Sequence, residues 1–151
     1  MPQSLSCLFV HAIFSTHNRI RFLDDLAQRQ ATYAYMAGIS KHHGFTPILI
    51  NGMSDHVHIL ATQSRTVTIS NWVGQMKTRS TLWVKDQDWG SKNFGWQHGY
   101  AAYSVSVSDV DRVRQYISDQ ESHHRKQSFQ DEYRQFMREH GIQWLEEFVW
   151  D

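Results

Sequence analysis

Residues 45–63 read FTPILINGMSDHVHILATQ. Two β-forming runs, FTPILINGM and HVHILATQ, flank the polar pair Ser54–Asp55, a pattern that predicts a hairpin. In a strand, side chains two apart project from one face, about 6.5–7 Å apart along the chain. His56 and His58 therefore point together, while Val57 turns to the opposite face.

The elements on either side follow from changes in periodicity. Upstream, the spacing predicts a helix over 24–44, with Asp24 or Asp25 at its start. Its apolar positions include Leu26, Tyr33, Met36, Ala37 and Ile39, and Gly44 ends it. Before it, residues 5–14 form a mostly apolar run of strand length. Downstream, residues 68–86 read as a helix with an apolar stripe of Ile69, Trp72, Val73, Met76, Leu82 and Trp83. AAYSVSVS, residues 101–108, alternates as a strand. The order strand, helix, strand, strand, helix, strand predicts an α+β fold, the ferredoxin-like βαββαβ sandwich with an antiparallel sheet.

Two helices trail this unit. One spans 109–124, with Ser108 as N-cap and Asp109 and Asp111 at its positive end. The other begins at Ser128, where Asp131 can complete a capping box. Residues 1–151 thus form a single domain in which 108–151 is a C-terminal helical extension. Helices on one face of the sheet leave its other face open to a ligand or a partner subunit.

Composition narrows the function. Lys+Arg and Asp+Glu number 15 each in 151 residues, so any phosphate binding must come from a local basic patch. The acidic end EHGIQWLEEFVWD leaves the remainder mildly basic. Cys7 is the single cysteine, which excludes a disulfide framework and suits a reducing compartment. LSCLFVHAIF lacks a basic flank and is too short to span a bilayer, so a buried first strand in a cytoplasmic protein is expected. No GxxxxGK[ST] loop occurs, so ATP is not implicated.

His56 and His58 admit two readings, a metal half-site or a polar pair on a solvent-facing strand. Asp55 either orients one imidazole or merely begins the turn. A metal needs further ligands. RQYISDQESHH places Tyr116 and Gln120 at i and i+4 on one helix face, with His124 four residues beyond.

DHVHIL, FGWQHGYAAYSVS and VRQYISDQESHHRKQSFQDEYRQFM together resemble the single-tyrosine HUH transposases of bacterial insertion sequences and their REP-associated relatives. The similarity runs over nearly the whole chain, with the order and spacing of its blocks preserved. It implies a homodimeric enzyme that cuts and rejoins single-stranded DNA near a hairpin through a 5′-phosphotyrosine. His56, His58 and Gln120 fall on the metal ligands and Tyr116 on the nucleophile, with Mg²⁺ or Mn²⁺ as the cofactor. The resemblance further implies that Tyr116 of one subunit can complete the metal site of the other. It also implies a cytoplasmic, nucleoid-associated bacterial protein with no membrane partner.

Arg19, Arg21, Lys77 and Arg79 are the candidate phosphate contacts, with Lys85 and Lys92 behind them. Among the tryptophans, Trp72 and Trp83 suit a core, whereas Trp89 and Trp96 suit base stacking. Two other functions remain open at this level: a hairpin-DNA-binding protein that does not cut, and an unrelated metal-dependent hydrolase built on the histidine pair.

Overall fold

Four strands form one antiparallel sheet: β1 (Phe9–Ser15), β2 (Thr46–Met53), β3 (His56–Thr62) and β4 (Ala101–Val105), ordered β2-β3-β1-β4. The computed structural model describes residues 2–151. α1 (Leu26–His42) joins β1 to β2, and α2 (Ile69–Asp86) joins β3 to β4. This is the ferredoxin-like order expected from the sequence. β2 lies at the sheet edge, where Pro47 is tolerated beside an irregularity in register between Pro47 and Leu49.

Capping residues delimit the helices. Asp25 accepts from the Gln28 amide at 2.9 Å and Thr68 from the Asn71 amide at 3.1 Å. Gly44, at φ +80°, provides the left-handed residue that ends α1. α1 and α2 cover one face of the sheet. There Val10, Ala12, Phe14, Val57, Ile59 and Ala61 meet Met36, Trp72, Val73 and Met76 in an apolar core.

The second face is not open, as the sequence suggested. α3 (Val110–Ser118), α4 (Gln120–His123) and α5 (Phe129–Glu139) belong to the segment that covers it. Ile13, Ala101 and Tyr103 pack there against Phe129, Tyr133 and Met137, with Trp144 and Trp150 at the margin. The reason is mutual: α5 carries an apolar stripe, and the strands offer apolar residues on this face as well.

Local boundaries also differ from expectation. β1 starts at Phe9, the residue facing both Thr62 and Val105, and Leu5 and Leu8 lie exposed beyond the ladder. β4 ends at Val105, before a 3-10 turn over Val107–Asp109. Ser108 lies in that turn and does not cap a helix. Asp109 precedes α3 without a side-chain cap, its carboxylate taken by Ser106 Oγ at 3.2 Å. The helix expected over 109–124 is broken at Asp119 into α3 and α4. Ser128 does cap α5, accepting from the Asp131 amide at 3.2 Å. The Asp131 carboxylate pairs with Arg134 at 3.0 Å. Leu82, assigned to the apolar stripe of α2, is exposed, because the core contacts of that helix pass through Trp72, Val73, Met76 and Val84 instead.

Candidate active site

β3 delivers His56 and His58 to the face covered by α3–α5, where both are fully buried. Their ring centroids lie 5.3 Å apart. Opposite them, β2 passes so close that a Cβ on Gly52 would collide with the His56 carbonyl; only glycine fits this approach.

Asp55 makes the turn and also holds His56, with Oδ1 2.7 Å from Nδ1. Burial raises the Asp55 carboxyl, but the His56 hydrogen bond and charge outweigh it and hold the group below its ordinary range. The other ring nitrogen of His56, Nε2, lies 3.0 Å from Gln120 Oε1. The Gln120 amide nitrogen meanwhile donates to Glu132 at 3.2 Å, which fixes the amide's orientation. In the tautomer that gives its Nδ1 proton to Asp55, His56 Nε2 and Gln120 Oε1 are both acceptors, an arrangement that a cation between them would resolve.

Glu132 of α5 is the residue on which the site converges, and it too is fully buried. Its Oε1 lies 2.9 Å from His58 Nε2 and 3.2 Å from His124 Nε2. Its Oε2 accepts the hydrogen bond of the Tyr116 hydroxyl. Burial raises the Glu132 carboxyl, but the charge of His58 and the hydrogen bonds from His124 and His58 prevail and keep it ionised. Burial lowers His58, an effect that Glu132 only partly offsets. A neutral imidazole beside an ionised carboxylate is the protonation state that metal binding requires.

Behind this group, His11 of β1 sets His58 Nδ1 at 2.8 Å from its own Nε2. Burial, and then the proximity of His58, lower His11 well below its ordinary value. While His58 Nε2–H donates to Glu132, its Nδ1 accepts from His11; the opposite tautomer, with Nδ1–H given to a neutral His11, would free His58 Nε2 as a ligand. The ligating atoms of His56, His58, His124 and Glu132 all lie within 4.8 Å of one another. Three imidazoles and a carboxylate, with the Gln120 carbonyl adjoining, suit a divalent metal.

Tyr116 of α3 reaches the same carboxylate. Its ring lies 6.1 Å from that of His58 and stacks on His123 at 4.4 Å. Burial, then the Glu132 charge and hydrogen bond, push its hydroxyl well above the ordinary tyrosine value. The structure thus brings His56, His58, Tyr116 and Gln120 together within one chain.

The candidate DNA contacts do not form one patch. Arg21 is exposed beside the β2–β3 turn, bonded to Ser54 Oγ at 3.1 Å and paired with Asp24 at 2.9 Å. Arg19 sits nearby in a turn where it and Asn18 have positive φ, with its guanidinium 5.7 Å from the Trp150 ring. Lys77 is half-buried and donates to the carbonyls of Gln97, His98 and Gly99, at 2.9, 3.1 and 2.5 Å. Burial pushes its ammonium down to about 8. Two residues along α2, Arg79 points about 200° away at ~100° per residue, and bonds Gln75 at 3.1 Å. Trp72 and Trp96 are core residues whose indoles donate to Ser40 and Ser80.

Two participants escape a reading of the sequence alone. Glu132 leaves a trace, because it occupies a position on the apolar stripe Phe129–Tyr133–Phe136, where a charge requires a partner. His11, inside an apolar strand, leaves none.

Residues 4–120 match the family model described as Transposase IS200 like. The chain belongs to the IS200-like transposase family. The matched span contains His56, His58, Tyr116 and Gln120, whereas His124 and Glu132 lie beyond it. The fold is similar to that of a candidate transposase from Deinococcus radiodurans R1, with 23% identity and a TM-score of 0.58. That match covers 80% of this chain and 95% of the other. It is also similar to a REP-associated tyrosine transposase solved bound to a REP hairpin, at 17% identity and a TM-score of 0.61. Here 82% of this chain and 72% of the other are covered. No curated protein matches significantly. Among the described residues no helix is long and apolar enough to cross a membrane.

Proposed function

We propose that the protein cleaves and rejoins single-stranded DNA beside a hairpin, using Tyr116 as the nucleophile and a divalent metal as cofactor. One observation carries this reading: in an IS200-like transposase, the Tyr116 hydroxyl hydrogen-bonds the very carboxylate on which His58 and His124 converge. The hairpin substrate is carried over from the REP-bound fold relative.

Tyr116 attacks the phosphorus, and its proton departs along the hydrogen bond to Glu132. The P–O3′ bond breaks, leaving a 5′-phosphotyrosine and a 3′-oxygen that takes a proton from solvent. The bond energy is kept in the ester, so rejoining needs no ATP. His56, His58, Gln120, His124 and Glu132 are the residues that would hold the metal, with Asp55 and His11 orienting the imidazoles from behind. When bound, the metal neutralises charge developing on the phosphate oxygens. Mg²⁺ and Mn²⁺ are both hard cations, but the nitrogen-rich donor set favours Mn²⁺.

The Tyr116 hydroxyl reaches Glu132 of its own chain, which supports Tyr116 acting on its own metal centre. The homodimer implied by the resemblance then pairs two such sites. Arg19 and Arg21, beside the hairpin that carries His56, are the better placed phosphate contacts. Lys77 orders the Gln97–Gly99 loop, and Arg79 stands apart. The setting is the bacterial cytoplasm, on chromosomal DNA.

Incubation with a single-stranded hairpin oligonucleotide and MnCl₂ should yield a covalent adduct that survives denaturing electrophoresis. Tyr116→Phe should abolish the adduct while hairpin binding persists; an undiminished adduct would refute the mechanism. Mixing Tyr116→Phe with His56→Ala protein should not restore it, whereas restoration would mean exchange of the tyrosine between subunits. Binding without an adduct in wild-type protein would leave a hairpin binder that does not cut.

A further inference from the structure

The C-terminal end of α3 is held by a side chain from the sheet. Asn51 of β2 donates from Nδ2 to the Ile117 carbonyl at 2.9 Å and to the Ser118 carbonyl at 3.4 Å. These are the last two residues of α3, whose carbonyls find no partner within the helix. The side-chain amide carries two N–H groups, enough for both. Asn51 therefore closes α3 from outside, just before the break at Asp119.

Asn51 is itself firmly placed. It lies opposite His58 in the β2–β3 ladder, so the two side chains rise from the same face of the sheet. Its neighbour Gly52 is the residue that lets β2 run so close to β3.

α3, by contrast, has few anchors. Of its nine residues only Ile117 is buried, and a helix this short has little stability of its own. Gln115 bonds back to Asp119 at 3.1 Å, which orders the turn without fastening it to anything else. Among the described residues, hydrogen bonds tie α3 to the sheet or to α5 at two places. One is the Tyr116 hydroxyl on Glu132, and the other is Asn51 on the helix end. An esterified Tyr116 has no hydroxyl proton to give Glu132. The bond from Asn51 is then the one that remains.

We propose that Asn51 is a positioning residue for Tyr116. By fastening the end of α3 to β2 beside His58, it sets the tyrosine against the imidazole–carboxylate cluster and keeps it near while a strand is attached. The service to a nucleophile rests on the cleavage reading above; the fastening of α3 does not.

The test uses full-length protein carrying Asn51→Asp, which keeps the shape but turns oxygen toward oxygen, with Asn51→Ala as a second variant. Amide hydrogen exchange, read by mass spectrometry, should quicken about fivefold over residues 110–119 and stay unchanged in β3 and α5. With MnCl₂ and a saturating single-stranded hairpin oligonucleotide, the covalent adduct should form about tenfold more slowly. Affinities for the hairpin and for Mn²⁺, by calorimetry, should stay within about twofold of wild type. A residue that merely stabilised the fold would not separate rate from affinity in this way. Unchanged exchange over α3 in both variants would overturn the fastening, as would exchange that quickens throughout the chain. An unchanged adduct rate would overturn the role toward Tyr116, and Mn²⁺ affinity falling in step with the rate would assign Asn51 to the metal site instead. If wild-type protein forms no adduct, the cleavage reading fails, and the exchange data still decide whether Asn51 holds α3.

Discussion

The two faces of the sheet are built from the same strands and do opposite things. On one, Val57, Ile59 and Ala61 of β3 interlock with α1 and α2 in an apolar core. On the other, His56 and His58 of that strand meet His11, His124, Gln120 and Glu132, all buried or nearly so. A pleat with period two keeps these functions apart at single-residue spacing. The apolar face supplies the free energy that lets the polar face bury histidines and a carboxylate at a cost.

That division is tested most severely by Ile59→Ala, which leaves a cavity under α1 and α2. Chemical denaturation should show a loss of about 2–5 kcal/mol; a loss below 1 would mean that the core does not sustain the other face. The next effect is on pH. His11 and His58 are lowered in the folded state, so the unfolded chain takes up protons first as pH falls through about 6.5. Their stabilising contribution is complete above that pH and fades below it, by up to about 1.4 kcal/mol per pH unit for each histidine. Glu132, held low, adds a further loss only below about 4.5. The thermal midpoint of the metal-free protein should therefore fall steadily from pH 7 to pH 5, and a flat profile would mean that the histidines are not buried neutral. The smallest effect is Glu132→Gln, which keeps the shape and removes the charge. Calorimetry should show Mn²⁺ affinity weakened at least about tenfold, or ~1.4 kcal/mol. Affinity within twofold of wild type would remove Glu132 from the ligand set.

Much of this was legible in the chain because it depends on local rules. Alternation placed His56, His58 and Val57 on their faces, and the spacing of Tyr116 and Gln120 pointed to one site, which the chain reaches across a break at Asp119. Asp25, Gly44 and Ser128 marked helix ends through their own backbone chemistry. What escaped depends on distant partners. The start of β1 is set by where Thr62 and Val105 stop pairing. The covering of the second face, and with it the parts played by Glu132 and His11, is set by how α5 docks. No periodicity encodes that docking.

The interruption at Asp119 has a mechanical consequence. An unbroken helix would couple Tyr116 and Gln120 as two points on one rod. With α3 and α4 joined at a single non-helical residue, they are instead two levers on a common pivot. A displacement of α3 then need not move Gln120, so that the residue which would carry DNA under the proposed function is separable from the amide beside the histidines.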